Sequence, residues 1–231
     1  MPGAIPKRLC EHGSVNHPAG PGVSPHFCSC LVLLLGGRNI KGTAYSFAQE
    51  GDREIEAHSA LDQRDMLLAA WRTNNRVTVF LVEHLPHELW GATVPGAPRR
   101  TVRMIAGHIH NARCMWIKTL GKEFGIAVPR AVNRHKVGPK ELIPALDRSS
   151  RGIISLLTLG CDRGGMIPAS SSYTWRNLPL DVGHVLTYFV AHEGHHRGQI
   201  VMLARQLGYR LPVEITGGLW RWSKRAREAR H

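Results

Sequence analysis

From Ala60 onward the chain places apolar residues three and four positions apart, the spacing of a helix with one buried face. Leu67, Leu68, Trp71, Val77, Leu81 and Leu85 predict a first helix that ends before Pro86, with Ser59 or Asp62 as its cap. Gly91, Pro95, Gly96 and Pro98 mark the loop that follows. Thr101 opens a second helix, stopped by Gly121, whose stripe runs through Ile105, His108, Ile109, Ala112, Trp116 and Leu120. A third is expected from Pro139 to Leu159, with Leu142, Ile143, Leu146, Ile153, Leu156 and Leu157 inward. Pro139 suits a first-turn position, while Pro144 blurs the start. A fourth runs from about Pro179 to Leu207, carries Val185, Leu186, Phe189 and Leu203 on its apolar face, and stops at Gly208. Four long helices without a convincing strand predict an all-α four-helix bundle. Connections of roughly 15–20 residues exceed the usual bundle loop, so the helix order need not be simple up-and-down.

Residues 1 to 58 follow no such rhythm. They are rich in Gly, Pro, His and Ser and hold one apolar patch, Phe27 to Leu35, so they read as a low-complexity extension without a packed core. The bundle with its basic tail is then expected over 59–231. The spacing of Cys10, His12, His26, Cys28 and Cys30 matches no common zinc knuckle. No apolar run approaches the ~20 residues of a membrane span, and the patch lacks the lead and cleavage site of a secretory signal.

The chain has 231 residues, 43% of them hydrophobic, enough for one sizeable core. The five cysteines form no regular disulfide framework, which favours a reducing, cytoplasmic setting. A net charge of +13 suggests an acidic partner, yet basic residues are spread along the chain. The one dense run, Arg221, Lys224, Arg225, Arg227 and Arg230, reads as a solvated helix face, so a nucleic-acid partner is not expected.

Candidate chemistry concentrates in A-H-E-G-H-H-R-G-Q-I, residues 191–200. His192 and His196 lie one helical turn apart and continue the inward stripe, where unpaired imidazoles would be costly and a shared cation would satisfy both. His108 interrupts the inward stripe of the second helix and is the candidate third ligand. His110, about 200° further around, is expected to face outward. His195 is expected to border the site or a subunit contact, and His184 to be a core or supporting histidine. Three protein ligands leave a position open for water or substrate, the pattern of a reactive metal site. The run also spells H-E-x-x-H, in which Glu193 would be the general base of a metalloprotease, but downstream only His231 could complete that ligand set.

The H-E-G-H-H-R-G-Q-I run, together with G-H-I-H-N-A-R-C-M-W upstream, resembles the DinB/YfiT-like superfamily of metal-dependent four-helix bundles. The matching features are His108 eight residues before Trp116, and His192 and His196 followed by Arg197, Gly198 and Gln199. The resemblance spans about residues 60 to 225. It implies a three-histidine site for zinc, nickel, iron or another divalent ion. It also implies a range of chemistries: family members include thiol-cofactor S-transferases and a mycothiol-dependent isomerase, and related domains occur in iron-dependent sulfoxide synthases. The leading expectation is therefore a metal-dependent enzyme that transfers a small-molecule thiol to an electrophile. A metal-dependent hydrolase and a non-catalytic metal-binding stress protein are the alternatives. Arg197 is expected to reach a neighbouring helix or a substrate anion, Gly198 to permit close helix approach, and Gln199 to hold the outer N–H of a ligand or to bind backbone in a loop. Neither Cys114 nor Cys161 is placed to supply sulfur, which would come from a cosubstrate. Homodimerisation through Trp220 and Trp222 is a further expectation.

Overall fold

The computed structural model describes residues 63–229. The caps at Ser59 and Asp62, the cysteine–histidine stretch, the Phe27–Leu35 patch, the boundary at residue 58, Arg230 and His231 lie outside the described residues. Four long helices are present: α1 (Gln63–His84), α2 (Val102–Trp116), α3 (Pro139–Asp162) and α4 (Val182–Gln206). Local chemistry fixes their ends. The Thr101 hydroxyl accepts from Met104 N at the start of α2, Asp181 accepts from His184 N at the start of α4, and Gly208 ends α4 at φ 83°. Beyond Trp116 the second helix continues as one π-helical turn, Ile117–Gly121, against Gly152 of α3, where a Cβ would lie 2.5 Å from Ile117 Cδ1. The all-α reading holds with two additions. One is a hairpin of β1 (Thr93–Val94) and β2 (Ala97–Thr101), turned at Pro95-Gly96 with Gly96 at φ 73°. The other is a pair of short helices, α5 (Val213–Gly218) and α6 (Trp222–Glu228).

The predicted stripes form two apolar clusters. One holds Leu81, Leu85, Trp90, Ile105, Leu142 and Leu203; the other holds Leu68, Trp71, Trp116, Leu120, Leu156 and Phe189. Helices α1 and α4 run from the second cluster to the first, whereas α2 and α3 run from the first to the second. Each of α1 and α2 packs on both α3 and α4. Consecutive helices α2 and α3 are therefore parallel neighbours, and the chain must travel back along the bundle between them. The long connection does this. Residues 126–138 return over α2, with Asn111 exchanging side-chain hydrogen bonds with the Val132 backbone and His110 Nε2 3.0 Å from Arg130 O. Gly107 permits the passage, because a Cβ there would sit 3.3 Å from the Arg134 Cα. His110 is consequently fully buried rather than outward-facing. The return segment that a parallel pair requires covers the face that a simple bundle leaves wet.

Between the two clusters lies a buried polar layer to which every long helix contributes. Arg113 of α2 donates to both carboxylate oxygens of Glu193 on α4, at 2.6 and 2.9 Å. Its remaining nitrogen donates to Asn75 Oδ1 of α1 and to Leu146 O of α3. Asn74 and Thr78 of α1 donate to Glu193 Oε2, and Arg197 donates to Thr78. Burial pushes the Glu193 carboxyl up, but the guanidinium of Arg113, with Arg197 and Thr78 behind it, holds it below the usual carboxylate range. The basic tail is only partly a solvated face. Arg221, Lys224 and Arg227 are exposed, but Arg225 is buried with its guanidinium 4.0 Å over the Phe80 ring, because α6 packs on α1.

Removing one partner of a buried pair strands the other charge, so Arg113→Ala is expected to destabilise the protein by about 3–5 kcal/mol in urea unfolding. A loss below about 1 kcal/mol would show that the pair does not hold the helices together.

Candidate metal centre

His108 of α2 and His192 and His196 of α4 converge where these two helices pack. One ring nitrogen from each lies within 4.8 Å of the others, and the group could hold a divalent ion. His192 Nε2 and His196 Nε2 are 3.1 Å apart. Two nitrogens on a tetrahedral zinc ion at its usual bond length would be separated by about 3.4 Å, so the spacing fits a shared cation. The helical register produces this convergence. Glu193 points into the polar layer, and its neighbours His192 and His196 are thereby rotated toward α2.

Gln199 defines the proton on His196. Its Oε1 stands 2.9 Å from His196 Nδ1 and accepts from Arg100 at 3.3 Å, while its Nε2 meets His195 Nε2 at 2.9 Å. An amide oxygen only accepts, so Nδ1 of His196 carries the hydrogen and Nε2 keeps a lone pair for the site. Gln199 thus acts on an outer N–H as expected, and His195 borders the site as expected, its ring 5.1 Å from that of His196. Tyr188 stacks on His192 with ring centroids 5.9 Å apart. No motif or periodic feature singles this tyrosine out in advance.

All three imidazoles titrate below the ordinary histidine range. Burial is the main cause for each. Arg100 and Arg134 add to it at His108, the other histidines add to it at His192 and His196, and His196 falls to about 4. They are neutral at pH 7, the state a metal ligand requires.

Several residues serve other purposes than the motif suggests. His184 is exposed and packs on its own cap, Asp181 Oδ2, at 2.6 Å, so it is neither a core nor a supporting histidine. It lies on the first turn, where the capping carboxylate is its nearest partner. Arg197 turns into the bundle toward Thr78 and Glu193. Gly198 does not permit close helix packing, because a Cβ there would meet nothing within 4 Å. It instead floors an open, largely apolar recess of ≈ 560 Å³ with Gly194, His195, Gln199 and Met202. A second recess, of ≈ 590 Å³, is lined by His108, Met104, Arg99, Arg100 and Arg134. Arg100 borders both. The Cys114 thiol is buried beside His110, and burial pushes it up to about 11, which leaves it inert.

The depressed histidines set a pH dependence. Between about pH 4 and the unfolded value of about 6.5, the unfolded chain binds protons that the folded site refuses. Stability should therefore rise with pH across that window. Melting temperatures of EDTA-treated protein should fall as pH drops from 6.5 toward 4.5, and fall less steeply in His196→Gln. A profile as steep in the variant as in the parent would deny His196 this role.

The helical fold agrees with the comparison to known proteins. A sequence model of the DinB family matches residues 60–227, covering α1 through nearly all of α6. No curated protein and no solved structure matches the chain. With the family match extending over most of its length, the chain belongs to the DinB family.

Proposed function

We propose that His108, His192 and His196 bind one divalent cation, zinc, nickel or iron, and that the protein is a metal-dependent enzyme transferring a small-molecule thiol to an electrophile. The observation that carries this reading is the convergence of three neutral imidazole nitrogens with no carboxylate or thiolate among them in the described residues. A cation held by neutral ligands keeps its full charge and supplies Lewis acidity, lowering the pKa of a thiol or water that reaches it. In the transfer, the thiol gives up its proton, its sulfur bonds to the electrophile, and the leaving group departs with the bonding pair.

The protein's own residues favour an external thiol. Among the described cysteines, Cys114 is buried and protonated and Cys161 lines a different recess, with Gln63 and Gly165, so we take the sulfur to enter with a cosubstrate. Two recesses meeting at Arg100 accommodate two reactants, one beside His108 and the other beside Gln199. Glu193 argues against a protease-like hydrolase, because Arg113, Asn74 and Thr78 occupy its oxygens. A general base must keep a lone pair free toward the reacting proton. A cytoplasmic setting suits this chemistry, since low-molecular-weight thiols stay reduced there. We also propose a homodimer through Trp220 and Trp222, which are 83% and 37% exposed. A monomeric mass in light scattering at micromolar concentration would remove that contact.

Calorimetric titration should give one zinc per chain, with His192→Ala weakening it by more than about a hundredfold and Gln199→Ala by about 10–100-fold. Zinc-loaded protein supplied with low-molecular-weight thiols and a generic electrophile such as a chloronitrobenzene should show turnover that His196→Ala lacks. Equal rates in both proteins for every thiol would defeat the transferase reading and leave the metal site standing.

A further inference from the structure

The recess beside His108 is bordered by three guanidinium groups, of which only Arg100 is bonded to the histidine network, through Gln199. Arg99 and Arg100 come from β2, and Arg134 comes from the connection that returns over α2. Their backbones are built into the fold. Strand β2 is paired with β1 and runs directly into the Thr101 cap of α2. Arg134 sits where the chain crosses Gly107, between Val132, tied to Asn111, and Val137, fully buried in the core. Asn133 turns the backbone at that point, accepting from His135 N and Lys136 N.

Five of the described arginines are paired with carboxylates: Arg64 meets Asp162, Arg76 meets Glu83 and Glu228, Arg113 and Arg197 meet Glu193, and Arg225 meets Glu228. At this recess none is. Among the described residues no carboxylate lies within 4 Å of Arg99, Arg100 or Arg134, and the one side-chain acceptor is Gln199 Oε1, facing Arg100. Like charges brought to one concavity repel unless an anion joins them, and guanidinium is the side chain best shaped for carboxylate or phosphate. A recess of ≈ 590 Å³ is the size of a small-molecule site, not of a groove along a duplex.

We infer that Arg99, Arg100 and Arg134 form a subsite for the oxyanion group, carboxylate or phosphate, of a small-molecule substrate whose reacting end faces His108. This rests on the reading of the histidine triad as the reaction centre. Arg100 also holds Gln199, which holds His196, so an anion that draws on Arg100 acts on the same network that orients a ligand. Arg99 and Arg134 are exposed and serve only the recess, which makes them the informative positions.

Glutarate, inorganic phosphate and the neutral analogue glutaramide would be titrated calorimetrically into zinc-loaded and EDTA-treated protein. The same titrations would be run on the double variant Arg99→Gln/Arg134→Gln, whose circular dichroism should be unchanged and whose zinc affinity should be no weaker. At least one of the two anions is expected to bind, glutaramide is not, and the double variant should bind that anion about tenfold more weakly. Whichever anion binds more tightly names the oxyanion. Anion binding by EDTA-treated protein that is lost in the double variant upholds the subsite even if zinc never binds the triad. Zinc bound at the triad with no preference for glutarate or phosphate over glutaramide overturns the subsite and leaves the metal reading intact. A 20-base-pair duplex that binds more tightly than either small anion, and loses that affinity in the double variant, also overturns it.

Discussion

The Arg113–Glu193 pair sits where all four long helices meet, and the site depends on it. A charge buried this completely has to be matched on all sides, and the match comes from α1, α2 and α3 together. Because Glu193 is committed inward, the rotation of α4 about its axis is set. His192 and His196, flanking it in sequence, are presented to α2 at the height of His108. Apolar packing alone would tolerate small rotations of a helix; a carboxylate clamped by four donors does not. The polar layer is thus the reference against which the histidines are positioned.

The same layer explains why H-E-x-x-H has a different meaning here from its meaning in a metalloprotease. Identity and spacing of the residues agree, yet the glutamate is buried with donors on both carboxylate oxygens, where a catalytic base would be free to take a proton. Function divides between the sides of one helix. The inward side carries Glu193 and Arg197, the side toward α2 carries His192 and His196, and the outer side carries Gly194 and Gly198 under an open recess. Each glycine forgoes about 1 kcal/mol of helix propensity relative to alanine without being required for packing. The bare helix surface they leave is a feature of the recess rather than of the core.

Much of this was legible from apolar spacing. The stripes through Trp71, Ile109, Leu146 and Phe189 mark helix faces that are buried as expected, and the interruption by His108 marks the residue of α2 that joins the histidine cluster. Connection length points to an order other than up-and-down, but which helices run parallel was not legible, because periodicity reports a face and not a neighbour. His110 was misjudged for that reason: the return of the chain over α2 is a tertiary event that no local pattern encodes. A usable signal did exist for the polar layer. Arg113 lies four residues after Ile109 on the inward stripe, and Asn74 lies three after Trp71. Charged or amide groups on an apolar face require buried partners, and the conspicuous glutamate on α4 was available to them. Arg225 was likewise hidden inside a basic run, since only the packing of α6 on Phe80 distinguishes it from its solvated neighbours.

The central claim is that one divalent ion sits among three histidines brought together by the polar layer. X-ray absorption spectroscopy of zinc-loaded protein tests this most directly. The account predicts a first shell of nitrogen or oxygen donors at about 2.0–2.1 Å, outer-shell scattering from three imidazoles, and no sulfur. A shell dominated by sulfur, or one without imidazole scattering, would contradict it.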